Sequence, residues 1–347
     1  MINAITVMSA LFCPVIYRLD RNDIRLVDDE AFRGVGPEVE MVDMSHNRLL
    51  ELRLGVVFRH LTRLRVLRMR YNSLVNIDSQ TTAAAGNVLP SVLELDLTGN
   101  EFDHVPSTSL SSLPALRRLI LRNNRLSYIG SSAFAASAFL ELVDVGANRF
   151  SRRADGGPLT IDNRAFCGLE PRALSRAPGM TDWTGLQQVR LDHNALTHPQ
   201  LCSLTGVWTL VDIDLSGNPL RCDCALLAAL RRMTETAVGL RVNHAAQCAS
   251  PDRLAGQTVT EALRQWQPTS CSDAGVLQTC DIAPCAVPLS LASSSSSTTG
   301  SSVTSCVCAA ALACAVVRIV ARTQLQSKPR RIRACRTTSR CLKSARN

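Results

Sequence analysis

Aromatic residues make up only 4% of this 347-residue chain, so leucine, valine and alanine must carry whatever core it builds. Also missing are a phosphate-binding glycine loop, a metalloprotease His-Glu-x-x-His helix, a serine-hydrolase elbow and the kinase motif set. Without them, nucleotide-driven and hydrolytic chemistry have no residues to perform them, and the chain reads as a non-enzyme with no cofactor. The six histidines are scattered, which leaves no cluster with metal-ligand spacing. No Asn-x-Ser/Thr sequon occurs, so N-linked glycans lack a consensus attachment point. Acid is absent from Arg318 to Asn347, a stretch with ten Lys and Arg. That tail accounts for the formal charge of +9: outside it, 28 basic residues (38 − 10) face 29 acidic ones, and bulk nucleic-acid binding loses its support.

What the chain does have is repetition. Tyr17, Leu19, Asn22 and Ile24 form one phrase. Val39, Val42, Met44, Asn47 and Leu49 form the next, then Leu64, Leu67, Met69, Asn72 and Leu74. Later copies close on Asn100, Asn124, Asn148, Asn194 and Asn218. The template is LxxLxLxxNxL, and each LxL is a short strand whose inward side chains one coil cannot bury alone, so successive coils must stack. The asparagines read as structural, their amides bonding backbone of their own and the next coil. The expected fold is an α/β leucine-rich-repeat solenoid, a horseshoe, over residues 14–217. Ala31-Phe32-Arg33-Gly34 and Ala133-Phe134 place an aromatic staple in the second half of the coil, which resembles the 24-residue extracellular variety of repeat.

Directly after the last repeat come Asn218-Pro219-Leu220-Arg221-Cys222-Asp223-Cys224, then Cys248, Pro251, Gly256 and Cys271. Over residues 218–271 this resembles the cysteine-rich carboxyl-terminal cap of extracellular leucine-rich-repeat proteins. The resemblance implies pairing of Cys222 with Cys248 and of Cys224 with Cys271, and hence an oxidising compartment. Leu220, Leu230 and Met233 stand where that family usually carries aromatics, which suggests looser cap packing. Zinc binding is the rival reading of these cysteines, although the spacing is not of the usual CxxC type and no partner histidine lies close by. Cys167 and Cys202 fall on the outer parts of adjacent coils, either paired or free.

The ends read differently. Residues 1–13 are a truncated amino-terminal cap or an atypical signal, since Cys13 is their only cysteine and no positive n-region precedes the apolar run. Between Asn148 and Asn194 one coil is extended by loops at Ser151–Pro158 and after Leu169. Residues 272–302 are a Ser/Thr-rich stalk, and 303–321 are apolar enough for a single transmembrane helix followed by a basic cytoplasmic tail, 322–347. The alternative is that the apolar segment never inserts.

Strand alternation aims the residue four before each asparagine away from the core, giving the column Arg18, Asp43, Arg68, Asp96, Ile120, Asp144, Arg190, Asp214. Two before the asparagine stand Asp20, Ser45, Arg70, Thr98, Arg122, Gly146, Asp192 and Ser216. Arg68, Arg70, Tyr71, Asp96, Arg118, Arg122, Asp144 and Arg190 are therefore the candidate ligand-binding residues on the concave face, facing a protein or acidic glycan. A solvated, solubilising charge ladder is the other reading of the same residues. The whole resembles single-pass extracellular leucine-rich-repeat receptors and adhesion proteins, with the architecture of platelet glycoprotein Ib alpha and the variable lymphocyte receptors. That resemblance implies a plasma-membrane recognition receptor without its own signalling domain; the alternative is a secreted or matrix binding protein.

Overall fold

The computed structural model describes residues 5–6, 15–77, 88–150, 161–162, 164–169, 185–267 and 316–317. After a two-residue strand, β1 (Ile5–Thr6), eight three-residue strands follow one per repeat: β2 (Ile16–Arg18), β3 (Met41–Asp43), β4 (Val66–Arg68), β5 (Glu94–Asp96), β6 (Arg118–Ile120), β7 (Leu142–Asp144), β8 (Gln188–Arg190) and β9 (Asp212–Asp214). They pair in parallel, in chain order, with no register shift from β2 to β9. Parallel sheets are usually covered on both faces. Here each coil closes over one face only, so the central strand residues Val42, Leu67, Leu95, Leu119, Val143, Val189 and Ile213 are fully buried while the residues flanking them stay at least partly exposed, Asp96 and Asp144 excepted.

The return half of each coil is irregular or briefly helical, as in α1 (Leu54–Val57) and α2 (Ser107–Leu110). The aromatic staple sits there. Phe32 meets Phe58 at 5.1 Å between ring centroids, and Phe134 meets Phe166 at 5.3 Å, each ring buried between coils. These few rings supply the bulk that leucine alone would leave unfilled at the wide end of the coil.

The asparagines form the expected ladder, with its direction reversed from the expectation. Asn72 donates from Nδ2 to the carbonyl of Met69 in its own coil (3.2 Å) and to that of Met44 in the preceding coil (3.1 Å), while its Oδ1 accepts from the preceding Leu49 N–H (3.1 Å). Asn100 repeats the pattern on Leu97, Met69 and Leu74. The bonds point backwards because the amide lies under the turn that the previous coil has already made. Asn22 bonds only Leu19 and Asp20 of its own coil. The residue before each asparagine takes left-handed backbone, from Arg21 (φ 56°) through Tyr71 (51°) and Ala147 (52°) to Gly217 (65°).

The cap is entered through β10 (Leu220–Arg221) and helix α3 (Cys224–Thr236), whose first turn is capped by the Asp223 side chain accepting from Leu226 N. Leu226, Leu227, Leu230 and Met233 turn one face of α3 into the core, and Leu220, Leu230 and Met233 are buried to 1% exposure or less, so aliphatic side chains close the cap without the family's aromatics. Strand β11 (Arg241–Val242) then adds a ninth strand to the repeat sheet, beside β9, beyond the expected end of the repeats at residue 217. Strand β12 (Cys248–Ser250) pairs with β10, and helix α4 (Val259–Gln265) starts on a capping box between Thr258 and Glu261. The Cys222–Cys248 disulfide joins the two cap segments with Cα atoms 5.5 Å apart, which removes both cysteines as zinc ligands. Cys224 is also disulfide-bonded; Cys271, the partner the resemblance implies, lies outside the described residues. Cys167 and Cys202 are each disulfide-bonded and buried, which rules out the free-thiol reading.

Strand β13 (Val316–Val317) pairs antiparallel with β1. These two valines are the only described residues of the expected transmembrane helix 303–321, and their backbone is extended, as suits a β-branched pair, instead of helical. No helix among the described residues is long and apolar enough to cross a membrane. Residues 272–302, 322–347 and the loops Ser151–Pro158 and Glu170–Trp183 lie outside the described residues, as does all of 1–13 except Ile5 and Thr6.

Candidate functional site

The sheet face is organised by the strand register. Arg18, Asp43, Arg68, Asp96, Ile120, Asp144, Arg190 and Asp214 stand directly opposite one another from β2 to β9, so the column drawn from the asparagine spacing is one physical row of side chains. Parallel strands lie about 4.8 Å apart, close enough for neighbouring coils to exchange ion pairs.

They do exchange them, and this changes the standing of the arginines. Arg70 Nε bonds Asp96 Oδ2 at 2.6 Å, and Asp96 Oδ1 accepts from the Thr98 hydroxyl at 2.6 Å and the Thr98 N–H at 3.0 Å. Asp96 is 1% exposed, so it is the buried anchor of the group and cannot itself meet a ligand. Glu94 sits between Arg68 (3.5 Å) and Arg118 (3.4 Å) and pairs with both. Glu94 belongs to the column six before the asparagine, which the two columns drawn from the sequence left out.

Arg122 makes the longest reach. Its Nη1 lies 3.3 Å from Asp144 Oδ1 in the next coil and 3.0 Å from Asp192 Oδ1 in the coil beyond, with Nη2 on Asp192 Oδ2 completing a fork. It passes over Gly146, where a Cβ would lie 2.3 Å from Arg122 Nη1 and 2.7 Å from Asp192 Oδ1. The glycine is what lets one guanidinium brace three coils, across the extended coil between Asn148 and Asn194. Asp192 is also bonded to His193 Nδ1 at 2.8 Å.

The titration of the two aspartates reflects this geometry. Burial pushes the Asp144 carboxyl above its ordinary value, and its bonds to Gly146 N–H and Arg122 do not fully offset that. Burial acts the same way on Asp192, but the hydrogen bonds from Arg122 and His193 outweigh it and hold that carboxyl below the ordinary range. The bond to Asp192 raises Arg122 well above the usual guanidinium value.

The eight candidate residues therefore separate. Asp96, Asp144 and Arg122 are parts of the internal bracing. Tyr71 (48% exposed) and Arg118 (side chain 53% exposed) are open to solvent; the Tyr71 ring stacks on His46 at 4.7 Å and lies against Gly99. Arg68 and Arg190 each bury an Nε that has no hydrogen-bond partner, with their outer nitrogens at the sheet face. Two residues missed by sequence reasoning, Glu94 and Gly146, matter as much as those it named. A third column would have found Glu94. Nothing in the sequence signals that Gly146 is there for Arg122.

One uncovered polar sheet face on a stack of short parallel strands, closed by a disulfide cap, defines a leucine-rich-repeat solenoid. The family model and the curated relatives agree with that class. The leucine-rich-repeat family model matches residues 87–150. Fibromodulin from Oryctolagus cuniculus is 32% identical over 143 residues, 40% of this chain and 95% of that one. Lumican from Mus musculus is 28% identical over 211 residues, 58% of each chain, so the chain spans less than two thirds of the lumican it matches. The solved leucine-rich repeat domain of APL1B superposes with a TM-score of 0.43 at 18% identity, over 65% of this chain and 62% of that one. The chain belongs to the leucine-rich-repeat family.

Proposed function

We propose that this is a secreted, matrix-type leucine-rich-repeat protein that binds a protein partner through its sheet face and catalyses nothing. What supports the reading is the uncovered polar sheet in a chain similar to lumican and fibromodulin, which are secreted, non-enzymatic matrix proteins. This places the alternative ahead of the plasma-membrane receptor first expected. Within the face, Tyr71, Arg118, Arg68 and Arg190 are the proposed contact residues, with Arg70 at their edge. Asp96, Asp144 and Arg122 hold that surface in shape. Because the arginines are largely neutralised by Glu94, Asp96, Asp144 and Asp192, the face does not offer the bare cationic patch that a sulfated glycan would select, and a protein partner fits it better.

Expression of the full chain in secretory cells, followed by separation of medium from carbonate-washed membranes, tests the placement. Recovery in the medium is expected. Carbonate-resistant pelleting would restore the single-pass reading of 303–321.

A further inference from the structure

From Leu52 to Ile77 the chain carries six arginines and no acid. Five of the six are neutralised by carboxylates of the coils on either side: Arg53 by Asp29, Arg59 by Glu30, Arg63 by Glu38, Arg68 by Glu94 and Arg70 by Asp96. Arg65 is the exception among the described residues. It is exposed, seven positions before Asn72, at the entry edge of β4. Seven before Asn47 in the adjacent coil stands Glu40, whose carboxylate also pairs with no described side chain.

The fold supplies its own control. Arg117 and Glu141 occupy the same column one coil apart, with the same backbone bonding between coils, and they close on each other at 2.7 Å. Glu40 and Arg65 could close in the same way. Instead a groove of about 500 Å³ lies there, lined by Glu40, Arg63, Arg65, Ser91 and Leu93. Arg63 is occupied by Glu38, and the Ser91 hydroxyl donates to the Thr62 carbonyl (2.7 Å), so it presents only an acceptor.

We propose that this groove, on the strand-entry flank and apart from the sheet face, binds an extended peptide segment that places an acidic side chain on Arg65 and a basic one on Glu40. One free acid beside one free base disfavours a polyanion and a polycation alike. Alternate side chains of an extended peptide lie about 6.7 Å apart on one side, a spacing that suits two heads too far apart to pair directly. Leu93, also in the groove lining, offers an apolar surface to the methylene stems of those two side chains. This inference does not rest on the sheet-face reading, and either can fail alone.

The test is fluorescence anisotropy of the full chain at low salt with three labelled peptides: alternating Lys-Thr-Glu-Thr, its all-glutamate counterpart and its all-lysine counterpart. The mixed peptide should bind saturably, at least tenfold tighter than either single-sign peptide. Arg65→Ala and Glu40→Ala should each weaken it at least tenfold, with unchanged melting curves because both side chains lie outside the core. Salt should weaken binding. No saturable binding up to about 1 mM, equal binding by Arg65→Ala, or an all-glutamate peptide binding as tightly would each overturn the proposal.

Discussion

Gly146→Ala is the substitution for which ordinary expectation and this structure disagree in sign. Gly146 does not have left-handed backbone, so alanine there should be tolerated and should stabilise by about 0.4–1 kcal/mol through the unfolded state. The site opposes it. The added Cβ would lie 2.3 Å from Arg122 Nη1, and the guanidinium must shift off its fork on Asp192. Asp192 (side chain 5% exposed) and Asp144 (10%) then lose their shared cation. Leaving a buried charge without its partner costs about 3–5 kcal/mol, but the Arg122 side chain is 33% exposed and water screens part of the loss, so about 1–3 kcal/mol of net destabilisation is expected. Urea denaturation followed by far-ultraviolet circular dichroism measures it. In an Arg122→Ala background only the approach to Asp192 Oδ1 (2.7 Å) remains, and the cost of Gly146→Ala should fall. A stabilising Gly146→Ala in the wild-type chain would refute the brace.

The other expectations follow from single contacts. Arg122→Ala should itself lower stability, by about 1–3 kcal/mol, and is therefore not a clean binding-site probe although its side chain faces away from the core. Asp192 titrates below its unfolded value, so its stabilisation is present above the unfolded pKa and is lost as pH falls through the folded one; Asp192→Asn should flatten the acid limb of the stability curve. Asp144 is shifted upwards, so its contribution runs the other way, falling as pH rises between the two values, and Asp144→Asn should steepen the same limb; both profiles are read from denaturation midpoints between pH 3 and 6. Thr258→Ala removes one half of the α4 capping box and should cost about 1 kcal/mol in the same assay. Replacing Cys222 and Cys248 together by alanine should cost about 2–5 kcal/mol, measured against wild type without reductant.

The fold was legible because its determinants are local and repeated. A single LxL fixes a strand, the asparagine fixes the turn, and their spacing fixes the register, so the row from Arg18 to Asp214 could be drawn before any coordinates. Strand β11 was not legible, since Arg241–Val242 has no ladder around it and joins the sheet only because the last coil leaves an open edge beside β9. The direction of the asparagine bonds was hidden for a related reason: the amide can serve either neighbour, and only the path of the turn decides. The site was half legible. Column position showed which side chains face outward, whereas their occupation depends on pairs between coils that run sometimes from one column to another, as Arg70 with Asp96, and sometimes within one, as Arg122 with Asp192. The latter pair is seventy residues apart and depends on a missing side chain between them.

The central proposal is that the chain holds a protein partner on its sheet face, and the most direct measurement is its retention in cell-laid extracellular matrix, wild type against Tyr71→Ala/Arg118→Ala. Both side chains are exposed and their contacts between coils, Arg118 with Glu94 and Tyr71 with His46, lie at the surface, so the double variant should lose little stability. Wild type should be retained by the matrix and the variant recovered in the medium. Equal retention of the two chains, at equal stability, would contradict the assignment of the binding surface to this face.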